Sequence, residues 1–257
     1  YRTYSGQSHS PLKQIDTANV KRLVTAWSYK FPADLQQGFE ATPIVNGRYL
    51  FVSTPKDNVY AFDAATGKTL WKYEPKLGPE SFKTACCDVV NRGVALYGKN
   101  VYLAMLSGEV AALDAQTGNL VWKKQMFDPG LGYAFSLAPL ALDGAIVIGS
   151  SGGEYGARGF IAALSPADGK LLWKRFTVPG AKEKGGDTWP DGMQDHGGAP
   201  AWLTGTYDAA TKTLYWGVGN PGPWLADLRP GDNLYSDSLL ALDPKTGDLK
   251  WHFQYTT

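Results

Sequence analysis

The chain contains little cysteine, methionine or histidine: its 257 residues include two Cys, three Met and three His. The cysteines, Cys86 and Cys87, are adjacent. Adjacent cysteines match neither the C-x₂₋₄-C spacing of zinc sites nor the C-x-x-C spacing of thioredoxin-like redox sites. The sequence therefore excludes a zinc module and a dithiol oxidoreductase of the familiar kinds.

Long apolar runs and an excess of charge of one sign are also absent. No apolar run approaches the roughly 20 residues that a membrane-spanning helix needs. The net charge is +1, from 25 basic and 24 acidic residues, which gives no reason to expect nucleic acid or an acidic membrane surface as a partner. The sequence starts at Tyr1 without a methionine, so the lack of a signal peptide carries no information about location.

Complete nucleotide-binding motifs are missing as well. The stretch "TGKT" (66–69) resembles the end of a phosphate-binding loop, but Phe62 stands where that motif requires glycine. The glycine-rich stretch "GSSGGEYGARG" (149–159) lacks G-x-G-x-x-G, and no helical pattern follows it. We therefore expect no nucleotide or nicotinamide cofactor.

The chain is instead rich in glycine (30), tyrosine (14) and tryptophan (9), a composition typical of all-β proteins. In four similar segments an apolar pair, a polar turn and a glycine are followed four residues later by tryptophan. The tryptophans lie 51, 51 and 78 residues apart, and Trp27 ends a degenerate fifth copy. The segments are "AFDAATGKTLWKY" (61–73), "ALDAQTGNLVWKK" (112–124), "ALSPADGKLLWKR" (163–175) and "ALDPKTGDLKWHF" (241–253).

The repeat predicts a hairpin in which Asp and Thr bond turn amides and glycine takes the left-handed conformation. Further short strands lie between the copies, at 48–54, 100–106, 144–150 and 213–219. About four strands per unit of roughly 50 residues indicate an all-β fold, a β-propeller. We expect residues 1–257 to form one domain of about four to five blades, with the tryptophans locking neighbouring blades together and taking no part in chemistry.

The cysteine pair has two interpretations. Consecutive Cα atoms lie about 3.8 Å apart, below the usual disulfide range of roughly 4.4–6.8 Å, so a bridge would close a strained ring of the kind found at functional sites. Alternatively, both cysteines are reduced and buried as small hydrophobic residues. The pair by itself leaves both possibilities open.

Several non-repeating stretches resemble, in order, the family of pyrroloquinoline quinone (PQQ) dependent alcohol dehydrogenases, which are periplasmic eight-bladed propellers. The resemblance implies that about half of the propeller is present and that the missing half, or an oligomer partner, covers the open edges. The stretches are the opening "YRTYSGQSHSPLKQIDTANVKRL" (1–23), "GFEATPIV" (38–45), "ACCDVVNRG" (85–93), "SGGEYGARG" (151–159), "GGAPAW" (197–202) and "GVGNPGPW" (217–224).

The resemblance implies roles for individual residues. Cys86 and Cys87 would form a vicinal disulfide against one face of PQQ, and Trp202 would cover the other face. Arg92 would contact the reactive quinone oxygens. Glu154 and Asn220 would be calcium ligands, with a lanthanide not excluded. The periphery of the cofactor would be held by Glu40, Ser136, Ser151, Gly152 and Gly153.

Each role has a plainer alternative. Glu154 could be a solvated loop acid, Asn220 an ordinary turn residue before proline, and Trp202 a core aromatic. Arg92 could pair with Asp88.

Three departures from the family pattern bear on the site and on turnover. Ser136 and Pro200 replace residues that are usually threonine. The catalytic aspartate of the family is expected beyond Thr257, so the 257 residues alone are expected to show no turnover.

For the complete enzyme, the resemblance implies oxidation of small alcohols to aldehydes, with electrons passed to a c-type cytochrome in the periplasm. No C-x-x-C-H haem site occurs in these residues. The competing hypothesis is a non-catalytic scaffold propeller that binds proteins through its loops. A scaffold explains the tryptophan repeat equally well, but it does not predict Cys86–Cys87, Glu154 and Asn220 together.

Overall fold

The computed structural model describes residues 12–35, 38–86 and 88–257. Their strands form four antiparallel sheets, each made of four strands that pair in chain order. The sheets are β1 (Ile44–Asn46), β2 (Tyr49–Ser53), β3 (Val59–Asp63) and β4 (Thr69–Tyr73); β5 (Ala95–Tyr97), β6 (Asn100–Ala104), β7 (Glu109–Asp114) and β8 (Leu120–Gln125); β9 (Leu140–Leu142), β10 (Ala145–Gly149), β11 (Phe160–Leu164) and β12 (Leu171–Phe176); and β13 (Thr206–Asp208), β14 (Thr213–Val218), β15 (Ser238–Leu242) and β16 (Leu249–Gln254).

Helices are short and lie in the connections. The α-helix α1 spans Glu80–Lys83, and no helix in the described ranges is long and apolar enough to cross a membrane. Single turns of 3₁₀ helix occur at Val20–Arg22, Ala33–Leu35, Pro55–Asp57, Pro129–Leu131, Gly153–Tyr155, Gly186–Thr188, Gln194–His196 and Ala226–Leu228.

The two central strands of each sheet carry most of the core. Every residue of β10 and of β11 is buried, because neighbouring sheets cover both faces of these strands. Continuous apolar runs rather than alternating ones are typical of strands buried on both sides. One cluster of buried hydrophobic side chains joins the second, third and fourth sheets and includes Val110, Phe160 and Trp216. The sheets therefore pack face to face, as the predicted propeller requires.

The predicted tryptophan locks are confirmed. In each case the indole N–H donates to a backbone carbonyl in the repeat turn of the following sheet, and the ring covers the glycine of that turn. A Cβ atom on Gly118, for example, would lie 2.7 Å from the Trp71 ring. The hydrogen bonds join Trp27 to Ala64 (3.0 Å), Trp71 to Ala115 (3.0 Å), Trp122 to Pro166 (2.9 Å) and Trp173 to Pro244 (3.0 Å).

The first and last tryptophans differ from the others. Trp27 docks on the first sheet although the residues on either side of it in the described part form no strand. Trp251 pairs with Ala241 within its own sheet, and its side chain is 47% exposed, whereas Trp71 is 9% exposed. The five copies of the repeat therefore correspond to four sheets.

Replacing Trp71 by phenylalanine should destabilise the chain by about 1–3 kcal/mol, because it removes the indole hydrogen bond and part of a buried ring. The matched change Trp251→Phe should alter stability by less than about 0.5 kcal/mol, since that ring is half exposed. Urea unfolding followed by far-ultraviolet circular dichroism measures both. Equal losses of stability in the two variants would contradict the claim that docking of Trp71 on the next sheet stabilises the fold.

Candidate functional site

The predicted site residues within the described ranges belong to segments at one edge of the sheets. In a four-stranded antiparallel meander, the segment before the first strand, the loop between the second and third strands and the segment after the fourth strand lie at the same edge. Glu40 precedes β1, Arg92 lies between β4 and β5, and Glu154 lies between β10 and β11. The tryptophan repeat turns join third to fourth strands, so they lie at the opposite edge.

A cavity of about 320 Å³ opens among these segments. Seven of the predicted residues line this cavity, although in the chain they extend from Cys86 to Asn220. The predicted lining residues are Cys86, Arg92, Ser136, Ser151, Glu154, Trp202 and Asn220; five further residues, Ala85, Asp88, Leu106, Ala134 and Pro200, complete the wall.

Arg92 is the central cation of the cavity. Its Nη2 lies 2.8 Å from a carboxylate oxygen of Glu40, and both its backbone N–H (3.1 Å) and its Nη1 (3.2 Å) donate to the carbonyl of Ser136. Among the described residues the ion pair of Arg92 is with Glu40, and the alternative pairing with Asp88 is not formed. Glu40 is therefore connected to the cavity through Arg92.

Trp202 supplies a flat wall. Its side chain is 37% exposed, so it is not a core aromatic. The Arg92 guanidinium carbon lies 4.8 Å from the centre of a Trp202 ring, within the distance at which a cation is attracted to an aromatic face. This pair presents a planar apolar surface next to a fixed positive charge.

The glycine-rich loop between β10 and β11 carries Ser151 and Glu154 to the cavity. The backbone N–H (3.0 Å) and hydroxyl (2.8 Å) of Ser151 both donate to the carbonyl of Ala134. Gly152 has φ +105°, and a Cβ there would overlap the carbonyl oxygen of Gly132. A Cβ on the buried Gly153 would lie 2.8 Å from Pro200. The two glycines thus allow close packing between loops, which leaves the exposed Glu154 at the cavity.

Asn220 reaches the cavity from the loop after β14. Its carbonyl accepts a hydrogen bond from the N–H of Ala199 (2.9 Å), and its Nδ2 lies 3.4 Å from the carbonyl oxygen of Pro221. Its side chain and the Glu154 carboxylate line the same cavity. In the described ranges, no group of three or more His, Cys, Asp and Glu side chains is placed so that it could hold a metal ion.

Cys86 lines the cavity beside Asp88, whereas Cys87 lies outside the described residues. The vicinal disulfide therefore stays a prediction. Sequence reasoning did not assign Leu106 and Ala134 to the site, because short apolar residues carry no chemical signature, and only their contacts place them there.

The residues present fit a planar anionic cofactor with a metal ion. Trp202 offers an aromatic face and Arg92 a guanidinium for carboxylate or quinone oxygens. Glu154 and Asn220 offer the oxygen donors that hard cations prefer. Two side chains are too few for the six to eight ligands of calcium, so such an ion would take further oxygen atoms from the cofactor, from backbone carbonyls or from water.

Tryptophan-docked four-stranded sheets with a cavity among the loops at one edge define the class: a β-propeller. The family model "PQQ: Glucose/ethanol/alcohol dehydrogenase, beta-propeller domain" matches residues 1–257. The chain belongs to this PQQ dehydrogenase family. This finding confirms both the predicted fold class and the resemblance noted in the sequence.

Individual relatives agree. The chain is 43% identical to the quinoprotein alcohol dehydrogenase PedH of Pseudomonas putida, over 98% of this chain and 44% of the relative. It superposes on a quinohemoprotein alcohol dehydrogenase, ADHIIG of Pseudomonas putida HK5, with TM-score 0.91 and 39% identity over 99% of this chain and 39% of the other. A europium-containing methanol dehydrogenase gives TM-score 0.89 and 34% identity over 95% and 46% of the two chains. The chain thus spans less than half the length of these proteins.

Proposed function

We propose that this chain forms the PQQ- and metal-binding part of an enzyme that oxidises alcohols to aldehydes. The observation that carries the proposal is the convergence of Arg92, Trp202, Glu154 and Asn220 on one cavity from four separate loops. A scaffold propeller does not require an arginine, an exposed tryptophan, a carboxylate and an amide side chain in one cavity. The names of the relatives support an alcohol as the substrate class.

In this proposal each side chain has a distinct task. Trp202 packs against one face of the cofactor and excludes water from it. Arg92, held by Glu40 and Ser136, directs its guanidinium at cofactor oxygens, where charge-assisted hydrogen bonds are strong. Bound PQQ would supply the two-electron redox chemistry, while the protein supplies binding, orientation and electrostatics.

Glu154 and Asn220 would hold the metal ion. We propose calcium, because one carboxylate and one amide with flexible geometry suit it. The europium named for one similar structure supports a lanthanide as the alternative occupant. The same donor chemistry serves both, so the choice between them is tested by titrating each ion.

We further propose that electrons leave to a c-type cytochrome and that the enzyme works in the periplasm. The word quinohemoprotein in the name of one relative supports a haem-type electron acceptor. A periplasmic setting agrees with the proposed disulfide between Cys86 and Cys87, because such bonds persist in oxidising compartments.

PQQ titration in the presence of calcium tests the central proposal. The chain should bind one equivalent of PQQ, detected by quenching of tryptophan fluorescence. Trp202→Ala should weaken binding about 5- to 150-fold, since stacking of an aromatic side chain on a flat ring system contributes about 1–3 kcal/mol. Trp224→Ala is the matched control, because Trp224 is 69% exposed and does not line the cavity. No binding by the unaltered chain would overturn the proposal in favour of a scaffold.

The cysteine pair is tested by intact mass. The unreduced chain should gain no mass on treatment with a thiol-alkylating reagent in denaturant, and it should gain two alkyl groups after reduction. This result would establish a bridge between the two cysteines, since the chain has no others. Two groups added without reduction would mean free thiols and would remove the disulfide from the proposed cofactor platform.

A further inference from the structure

Asp57 lies behind the cavity wall in an unusual backbone conformation. It ends the turn Pro55–Asp57 between β2 and β3, and its side chain is fully buried. Both Lys56 (φ 63°) and Asp57 (φ 61°) are left-handed although neither is glycine. Such conformations persist only where the surrounding structure enforces them, and they concentrate at functional sites.

The Asp57 carboxylate joins two loops of the neighbouring sheet. One oxygen accepts a hydrogen bond from Nδ2 of Asn91 (2.8 Å), and the other accepts one from the backbone N–H of Leu106 (2.7 Å). The buried Asn91 continues the network, because its Nδ2 donates to the carbonyl of Ala104 (3.0 Å) and its Oδ1 accepts from the N–H of Gly93 (3.1 Å).

This network encloses the backbone of Arg92. Asn91 and Gly93, the residues on either side of Arg92, are both held by the network, and the carbonyl of Ser136 accepts the N–H of Arg92 itself. The N–H of Lys56 also donates to the carbonyl of Val89 (3.1 Å). Leu106, the second partner of Asp57, lines the cavity directly.

We propose that Asp57 is a positioning residue for the cofactor cavity, which sets the backbone of Arg92 through Asn91 and places the cavity wall through Leu106. Asp57 does not line the cavity, so it acts through these two partners. The inference rests on the proposed function, because positioning matters to PQQ only if the cavity binds PQQ.

If Asp57 positions the cavity, cofactor binding should depend on pH through the protonation state of its carboxyl group. Burial raises the pKa of its carboxyl to about 7, and the hydrogen bonds from Asn91 and Leu106 oppose that rise. A protonated carboxyl turns one acceptor oxygen into a donor. The protonated oxygen is uncharged and a weaker acceptor, so the hydrogen bond that it accepts would weaken and the cavity segment would loosen.

The charged groups on surrounding elements are engaged elsewhere. On β4, burial raises the pKa of the Tyr73 phenol, and the Asp57 charge adds a smaller increment. Ion pairs on these elements join Lys56 to Asp34, Lys72 on β4 to Glu74, Arg92 to Glu40, and Lys123 on β8 to Glu109 on β7. The exposed Asp88 carboxylate accepts the N–H of Val89.

The test compares the unaltered protein, Asp57→Asn and the control Asp34→Asn. Asp34 is an exposed carboxylate that pairs with Lys56, the residue before Asp57. The dissociation constant for PQQ with calcium is measured from pH 6 to pH 8.5. In the unaltered protein and the control, affinity should fall at least about ten-fold as pH drops through 7. Asp57→Asn should bind at the weak level throughout and show no such transition.

Two further readouts keep the inference testable. Hydrogen exchange of residues 88–94 without PQQ should be faster in Asp57→Asn and unchanged in the control, whether or not the proposed function holds. If Asp57→Asn does not fold, Asn91→Ala serves instead, and its pH transition should move upward because a bond that favours the charged form is gone. Unaltered affinity, pH profile and exchange in a folded variant would overturn the inference.

Discussion

Replacing Glu154 by glutamine is expected to weaken metal binding at the cavity at least about a hundred-fold, while the fold stays intact. Glutamine keeps the shape and one oxygen donor but removes the negative charge. Even mutation of residues that only hydrogen-bond to a metal ligand typically lowers metal affinity about 10–100-fold, so loss of a charged ligand should cost at least as much. Because Asn220 is neutral, Glu154 supplies the charge of the proposed ligand pair. Calorimetric titration of calcium and of a lanthanide, each with PQQ present, measures the loss.

Asp195→Asn is the matched control for this change. Asp195 is also an exposed carboxylate, at 80%, and its partner is Arg158 rather than a cavity residue. We expect the control to bind calcium as the unaltered chain does. If Glu154→Gln and Asp195→Asn bind the metal equally well, Glu154 is a solvated loop acid and the proposed metal site is wrong.

Replacing Gly152 by alanine should be among the most destabilising single changes in the chain, costing at least about 3–4 kcal/mol. Two causes act together. The left-handed φ of +105° disfavours any residue with a Cβ, and that Cβ would overlap the carbonyl of Gly132. To relieve the overlap, the loop that carries Ser151 and Glu154 must move away from the segment at Gly132 and Ala134. PQQ affinity should fall with stability.

Gly144→Ala separates the two causes. Gly144 is also left-handed, at φ +75°, but a Cβ there meets no atom within 4 Å. This variant should lose only about 1–2 kcal/mol of stability, the cost of the backbone conformation alone. Chemical unfolding of both variants gives the comparison. A loss in Gly152→Ala no greater than that in Gly144→Ala would mean that the loops do not pack as closely as the structure has them.

The strands of the fold follow closely from the repeat. The predicted strands at 48–54 and 213–219 correspond to Tyr49–Ser53 and Thr213–Val218. The turn chemistry is also as expected, since Asp63 accepts hydrogen bonds from the amide and hydroxyl of Thr66. These features depend on contacts within a few residues of the chain, and such contacts leave a readable pattern.

Seven of the residues that the family resemblance names line one cavity, but the contacts they make were not predictable. The resemblance to the family, not the chemistry of the motifs themselves, grouped Arg92, Trp202 and Glu154, and these residues line one cavity. The partner of Arg92 was not predictable: Asp88 is nearer in sequence, yet Glu40 forms the ion pair. Asp57 carried no signal at all, because an acid in a short polar loop normally indicates solvent rather than a buried network.

The sequence by itself determined the blade repeat, the hairpin turns and the set of residue types that marks the family. The repeat and the turns arise from short-range geometry, because a turn needs glycine at one position and a buried strand needs a run of apolar residues. Only the tertiary structure decided that Trp27 docks without a sheet, that Glu40 pairs with Arg92, and that the glycine loop fits against Gly132. These contacts join segments far apart in the chain, and they depend on how the packed sheets position their loops at one edge.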